Sequence, residues 1–229
     1  FALPSFRAAL LPPQAQLDTM TFAQWLDEER LDDPHLRWYL DYCCRDDYGA
    51  GSAIVSAWAG VHYFASRHGF QAPGGDEASR DAVLTWPQGN GWLTQRLAAP
   101  LGDRLYTART VLRIAEMRQD VEVDAFDHGT GTLERWQTRR CIVALPVLAA
   151  ARVVQNPPAM LRAAAARTRY APWLVANLHL DAPLHDRPGA PPSWDNVLYG
   201  SAGLGYVDAR HQRLDPGPGP TVLTWYQAA

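Results

Sequence analysis

Apolar positions recur along the first third of the chain at the spacing of amphipathic helices. Thr21 followed by Gln24 is a capping-box pattern, which opens a helix over Phe22 to Glu29 with Phe22, Trp25 and Leu26 on one face. Asp33-Pro34 is a second start signal, because Asp caps free N–H groups and Pro needs none in the first turn. Leu36, Tyr39, Leu40 and Cys43 then keep helical spacing until Gly49, a natural stop. A third helix is predicted from about Ser52 to Arg67, striped by Ile54, Ala57, Trp58, Val61 and Phe64 and ended by Gly69.

After the loop composition of Gln71 to Ser79 (QAPGGDEAS) the period changes. Ala82 to Trp86 reads as a short strand, Trp92 to Ala98 as a helix, and Leu105 to Ile114 as one or two strands. Val121 to Phe126 alternates, and Leu133 to Trp136 pairs back across the turn His128 to Thr132 as a hairpin. Cys141 to Leu145 is a continuous apolar run stopping at Pro146, the pattern of a strand buried on both faces. A helix around Ala159 to Thr168 precedes strand-like runs at Trp173 to Leu180, Asn196 to Tyr199, Leu204 to Asp208 and Val222 to Tyr226. The fold class is therefore α+β. Its three parts are a helical segment (residues 1–80), a small mixed α/β section (81–150) and a β-rich section (151–229).

Composition narrows the function classes. The chain has 229 residues, 47% of them hydrophobic, enough to bury a core. A net charge of −3 without a basic run argues against nucleic acid or an anionic membrane as partner. No apolar stretch reaches the length of a membrane span. The sequence begins without Met or a signal peptide and closes on the alternating run TVLTWYQAA, so an internal piece of a longer protein is expected. The cytoplasm is the favoured compartment, with the periplasm open should a targeting signal precede the sequence. No pattern specifies an oligomeric state.

All 21 basic residues are arginine, so no lysine base or Schiff base can act from this chain. Cys43, Cys44 and Cys141 match neither a disulfide framework nor a zinc spacing, and are read as small core residues. His62, His68, His179 and His185 do not pair at i, i+4, so no metal site is predicted. Asp46-Asp47 and Asp27-Glu28-Glu29 read as caps and solvated faces, and no G-x-S-x-G elbow occurs.

The stretch TWPQGNGWLTQRLA places Gly89 and Gly91 at the first two positions of a dinucleotide fingerprint, but Thr94 stands at the third. It is not a phosphate cradle. The order PQGNGWLTQRLA, LGDRLYTARTVLRI, VEVDAF, a turn and RRCIVALPV resembles the second FAD-contacting segment of the flavin-containing amine oxidase superfamily, which includes monoamine oxidases and phytoene desaturases. The resemblance implies a discontinuous FAD domain whose middle segment is residues 81–150, with substrate-domain segments on either side. It implies that the backbone at Val111 meets the FAD adenine, and that Ala144, Leu145 and Pro146 form a turn against the cofactor. It also implies oxidation of a small organic substrate by hydride transfer to flavin.

Aromatic residues are plentiful, and ligand sites need apolar walls with a few polar handles. The candidate substrate-cavity residues are Trp86, Asn90, Tyr199 and Tyr206, followed by Tyr63 and Trp173. No residue is assigned a catalytic role. The family's first FAD segment, with G-x-G-x-x-G, and its closing segment are not found in the sequence, so FAD is expected to bind this chain weakly or not at all. Where many amine oxidases carry a lysine near flavin N5, Val175 or Asn177 stands here, depending on register. Two other readings stay open: a non-catalytic module that keeps the substrate-domain shape and binds a ligand or partner, and an isoprenoid desaturase or isomerase.

Overall fold

The computed structural model describes residues 12–66, 86–185, 188–189, 193, 195–214, 217 and 219–228. The predicted loop at Gln71 to Ser79, the helix stop at Gly69 and the strand up to residue 85 lie outside them. In chain order the helices before residue 100 are α1 (Pro12–Leu17), α2 (Phe22–Glu28), α3 (Pro34–Tyr48), α4 (Ala57–Ala65) and α5 (Gly89–Ala98). A 3-10 helix (Ala99–Arg104) leads to β1 (Arg109–Glu116), β2 (Val121–Asp127) and β3 (Thr132–Thr138). Then come α6 (Val147–Val153), α7 (Ala159–Arg167), β4 (Trp173–Leu180), β5 (Asp195–Asn196), β6 (Tyr206–Asp208) and β7 (Thr221–Ala228). The class is α+β. Contacts gather into two units, one formed by Phe1–Gly89 with Ala171–Ala229, the other by Asn90–Tyr170.

The helices of the first unit start where their caps place them. Thr21 Oγ1 accepts the Gln24 N–H at 3.2 Å, and Gln24 Oε1 accepts the Thr21 N–H at 2.9 Å. Asp33 Oδ1 accepts the N–H groups of His35 and Leu36, and Gly49 closes α3 with a left-handed φ of 64°. Helix α4 starts at Ala57, not Ser52, because Asp41 Oδ1 accepts both the N–H and the hydroxyl of Ser52 at 2.8 Å. That bond holds Ser52 in a turn, so Ser56 becomes the cap and Ile54 is left 77% exposed.

Phe22, Leu26, Leu40, Cys44 and Val55 form one buried cluster. Gly60 on α4 lets the helices meet, since a Cβ there would lie 2.4 Å from the Phe22 ring. Tyr42, Cys43 and Leu204 form a second cluster against Tyr226 and Ala228. The sheet of this unit runs β4-β7-β6-β5, all antiparallel. Its β5 and β6 are shorter than the runs Asn196 to Tyr199 and Leu204 to Asp208 predicted. Between them Gly205 turns at φ +102°, where a Cβ would lie 2.0 Å from the Asn196 carbonyl oxygen. Asp208 anchors the β6 end by accepting the Thr221 hydroxyl at 2.6 Å and the Arg210 guanidinium at 2.8 Å.

The second unit is built on the meander β1-β2-β3. Arg109 bridges Asp127 on β2 and Glu134 on β3, while Arg113 pairs with Glu122 and Asp124. Two expectations fail here. Cys141 to Leu145 forms no strand, and Ile142 is 94% exposed. A strand exists through its ladder, and no described strand offers this run a partner. For the same reason Cys141 is exposed, unlike Cys43 and Cys44. Beyond Pro146, helix α6 forms where the pattern predicted none.

Candidate functional site

Helix α3 carries Trp38 and Tyr42 one turn apart on the same face, and their rings stack at 5.7 Å and 13°. Tyr199 packs on Trp38 at 4.8 Å and stacks on His35 at 5.1 Å. Tyr42 is buried, its hydroxyl 3.4 Å from the Leu204 carbonyl oxygen. Tyr226 of β7 belongs to the same cluster and lies 6.2 Å from the Trp173 ring. Rings thus run through the first unit from exposed His35 and half-exposed Tyr199 to buried Tyr42 and half-buried Tyr226.

Two carboxylates face this pair. Burial pushes the Tyr42 hydroxyl well above its ordinary range, and the charges of Asp46 and Asp195 push it further. Tyr226 is raised to about 12, first by burial and then by the same two charges. Both hydroxyls therefore stay protonated at neutral pH. Burial also raises Asp195, an effect opposed by a hydrogen bond from Tyr226. Asp195 Oδ1 is buried without a hydrogen-bond partner among the described residues. The arrangement holds protons at fixed places beside an aromatic wall. Sequence reasoning missed Tyr42, Asp46, Asp195 and Tyr226 as a group, because only the packing of α3 against the paired strands β5 to β7 brings residues this far apart together.

Of the sequence-predicted cavity residues, Tyr199 joins the file of rings directly. Tyr206 lies on β6, opposite Trp225 of β7 and Asn196 of β5. Tyr63 packs into the cluster of Tyr42, Cys43 and Leu204. Trp86 donates from Nε1 to the Gly89 carbonyl at 2.6 Å, closing the turn that opens α5. Asn90 is exposed on α5 and belongs to the second unit. Gly89 is required by its φ of +58°, not by crowding, since a Cβ there would meet nothing within 4 Å. Asn177, at one of the two alternative lysine places, accepts the Thr224 hydroxyl at 2.8 Å, while Val175 is more than half exposed.

The residues assigned to FAD lie in the second unit. Val111 is half-buried on β1, beside a bulge that takes Leu112 out of the ladder. Backbone groups freed at such a bulge suit the edge of a flat heterocycle. Ala144, Leu145 and Pro146 are exposed, and Pro146 caps α6. This set fits one stretch of FAD along an apolar turn. It does not by itself make a dinucleotide site, because Thr94 replaces the third glycine and no charged side chain belongs to the set.

Comparison with known proteins decides the fold. No family model matches the sequence. An L-amino acid dehydrogenase of Synechocystis is 30% identical over 147 residues, which are 64% of this chain and 29% of the dehydrogenase. A putrescine oxidase triple mutant redesigned in cofactor binding superposes with a TM-score of 0.74 at 19% identity, covering 95% of this chain and 46% of the oxidase. Wild-type putrescine oxidase bound to putrescine gives 0.69 at 18% identity, with the same coverage. The fold is that of the flavin amine oxidases. The chain spans about half the length of putrescine oxidase and under a third of the dehydrogenase. Among the described residues no helix is long and apolar enough to cross a membrane, and no group of His, Cys, Asp and Glu is arranged to hold a metal ion.

Proposed function

We propose that this chain is the substrate-binding and middle portion of an FAD-dependent oxidoreductase acting on a small amine or amino acid. The unit Asn90–Tyr170 would belong to the cofactor domain, and the unit containing α1 to α4 and β4 to β7 to the substrate domain. What carries this reading is the likeness to putrescine oxidase, which runs through 95% of the chain and so takes in both units. The flavin, when bound, supplies hydride acceptance. This chain's own part is to present an aromatic wall at Trp38 and Tyr199 and to keep the Tyr42 and Tyr226 hydroxyls protonated. The Val111 backbone and the Ala144 to Pro146 turn would meet the cofactor.

Two measurements test the reading. The purified 229-residue chain is expected to show little flavin absorption, and a stoichiometric yellow cofactor would overturn the assignment of most FAD contacts to other segments. In the longer protein carrying this chain, anaerobic addition of a diamine or an L-amino acid should bleach the flavin. A protein that binds flavin yet is bleached by neither favours the desaturase reading, and one that binds no flavin favours the non-catalytic module.

A further inference from the structure

Charge is divided between the two units. Asn90–Tyr170 holds twelve arginines against seven Asp or Glu residues, a net charge of +5, and the rest of the chain holds nine against seventeen, a net charge of −8. The whole-chain value of −3 hides this division. Within the positive unit the charge is divided again. Arg109, Arg113 and Arg135 on the meander are all paired with carboxylates. After Glu134 the next acidic residue is Asp181. Beyond the meander Arg139, Arg140, Arg152, Arg162, Arg167 and Arg169 are each exposed, and none has an ion-pair partner among the described residues. We propose that this part of the unit, α6 and α7 with the arginines around them, docks on the anionic headgroups of a phospholipid surface.

The fold gathers the charges. Helices α6 and α7 pack on each other, and α6 packs on β1. Arg152 lies in the last turn of α6 and Arg167 in the last turn of α7, where a cation complements the helix dipole. On α7, Leu161 and Ala165 are half-buried one turn apart, while Met160, Ala163, Ala164 and Arg167 share the exposed side. Met160 is 83% exposed, an apolar side chain set among guanidinium groups.

Chemistry selects among anionic partners. A cluster of roughly four to eight basic residues at one surface is the pattern that attracts acidic lipid. An apolar side chain such as Met160 can enter the boundary beneath the headgroups. The stretch from Arg139 to Arg169 contains no aromatic residue on which the bases of a single-stranded nucleic acid would stack. Protein interfaces likewise concentrate aromatics at their centre and are poor in alanine, whereas α7 reads AMLRAAAAR. A surface of headgroups asks for charge without pockets. The docking is peripheral, since no described helix is long and apolar enough to cross a membrane.

The inference does not rest on the oxidoreductase reading, and its test uses no flavin chemistry. The longer protein carrying this chain is sedimented with vesicles of phosphatidylcholine alone, or of phosphatidylcholine with about a third phosphatidylglycerol. Binding to the mixed vesicles is expected to be at least tenfold stronger, and to fall as added salt screens the exposed charges. Each arginine removed should weaken it roughly fivefold. Arg162→Gln combined with Arg167→Gln should therefore weaken it at least tenfold, while Arg30→Gln in the negative unit changes it less than twofold. In the unmodified protein, amide hydrogen exchange of residues 147–169 should slow on the mixed vesicles, which keeps the test independent of any variant folding. Five results would overturn the proposal: no binding to either vesicle, equal binding to both, undiminished binding by the folded double variant, protection confined to other residues, or tighter capture of an RNA oligonucleotide or polyglutamate at equal charge.

Discussion

The two units of the chain solve the same problem unequally. The helical and β4–β7 unit buries Phe22, Leu26, Cys43, Cys44 and Leu204 almost completely, in two clusters that its own elements close. The meander unit has regular ladders and a lattice of arginine–carboxylate pairs, yet buries little beyond Ile114, Ala115, Ala125 and Ala150. Leu133, Ile142 and Leu97 stand 72%, 94% and 77% exposed on it. Hydrogen bonds and ion pairs can define a sheet, but surface ion pairs add little to stability, and burial of apolar surface has to supply the rest. The first unit is therefore expected to be the stable one, and the second to depend on what it packs against.

The largest test of that contrast is Phe22→Ala, which empties the floor of the first unit's core and should cost about 3–5 kcal/mol in urea denaturation. A loss below ~1 kcal/mol would mean that the cluster is not the unit's core. Next comes Gly205→Ala. With φ at +102° and the Asn196 carbonyl oxygen 2.0 Å from the added carbon, strain of about 1–3 kcal/mol is expected in the same assay.

Titration should separate the units by direction. In the meander, hydrogen bonds from Arg135 and then Arg113 lower Asp124 to about 2. Its contribution is present above the ordinary value of 3.8 and is lost as pH falls toward 2, so the meander weakens in acid, and Asp124→Asn should flatten that slope. Burial raises Tyr226 to about 12, so its contribution is present below 10 and is lost as pH rises from 10 to 12. Near-ultraviolet circular dichroism of the tyrosines should therefore report loosening of the first unit in base, and Tyr226→Phe should remove part of it. The reverse assignment of acid and alkaline transitions would break the comparison. The smallest effect is expected of Ile142→Ala, within about 0.5 kcal/mol in this chain, because the side chain is already in water. A cost well above that would show the run to be buried in solution.

Local chemistry was legible in advance. The capping box at Thr21, the Asp33-Pro34 start and the Gly49 stop each depend on atoms within a few residues, and each stands in the structure as read. The hairpin of β2 and β3 was legible for the same reason, since a short turn sets its register. Cys141 to Leu145 was not, because an apolar run says only that it wants a partner, and strand formation depends on whether one is there. The start of helix α4 was misplaced by more than one turn because the competing acceptor, Asp41, comes from another helix.

The candidate site divides along the same line. Tyr199 could be named as an aromatic with a polar handle, but its neighbours His35 and Trp38 come from the other end of the chain. The grouping of buried Tyr42 with half-buried Tyr226, Asp46 and Asp195 left no local signal. Helix caps, turns, the absence of lysine and the α+β alternation follow from the sequence alone, because near-neighbour hydrogen bonds and side-chain inventory decide them. Which apolar faces are covered, which strands find partners and which carboxylates meet tyrosines were decided by tertiary packing, since burial and pairing are properties of segments brought together, not of any one of them.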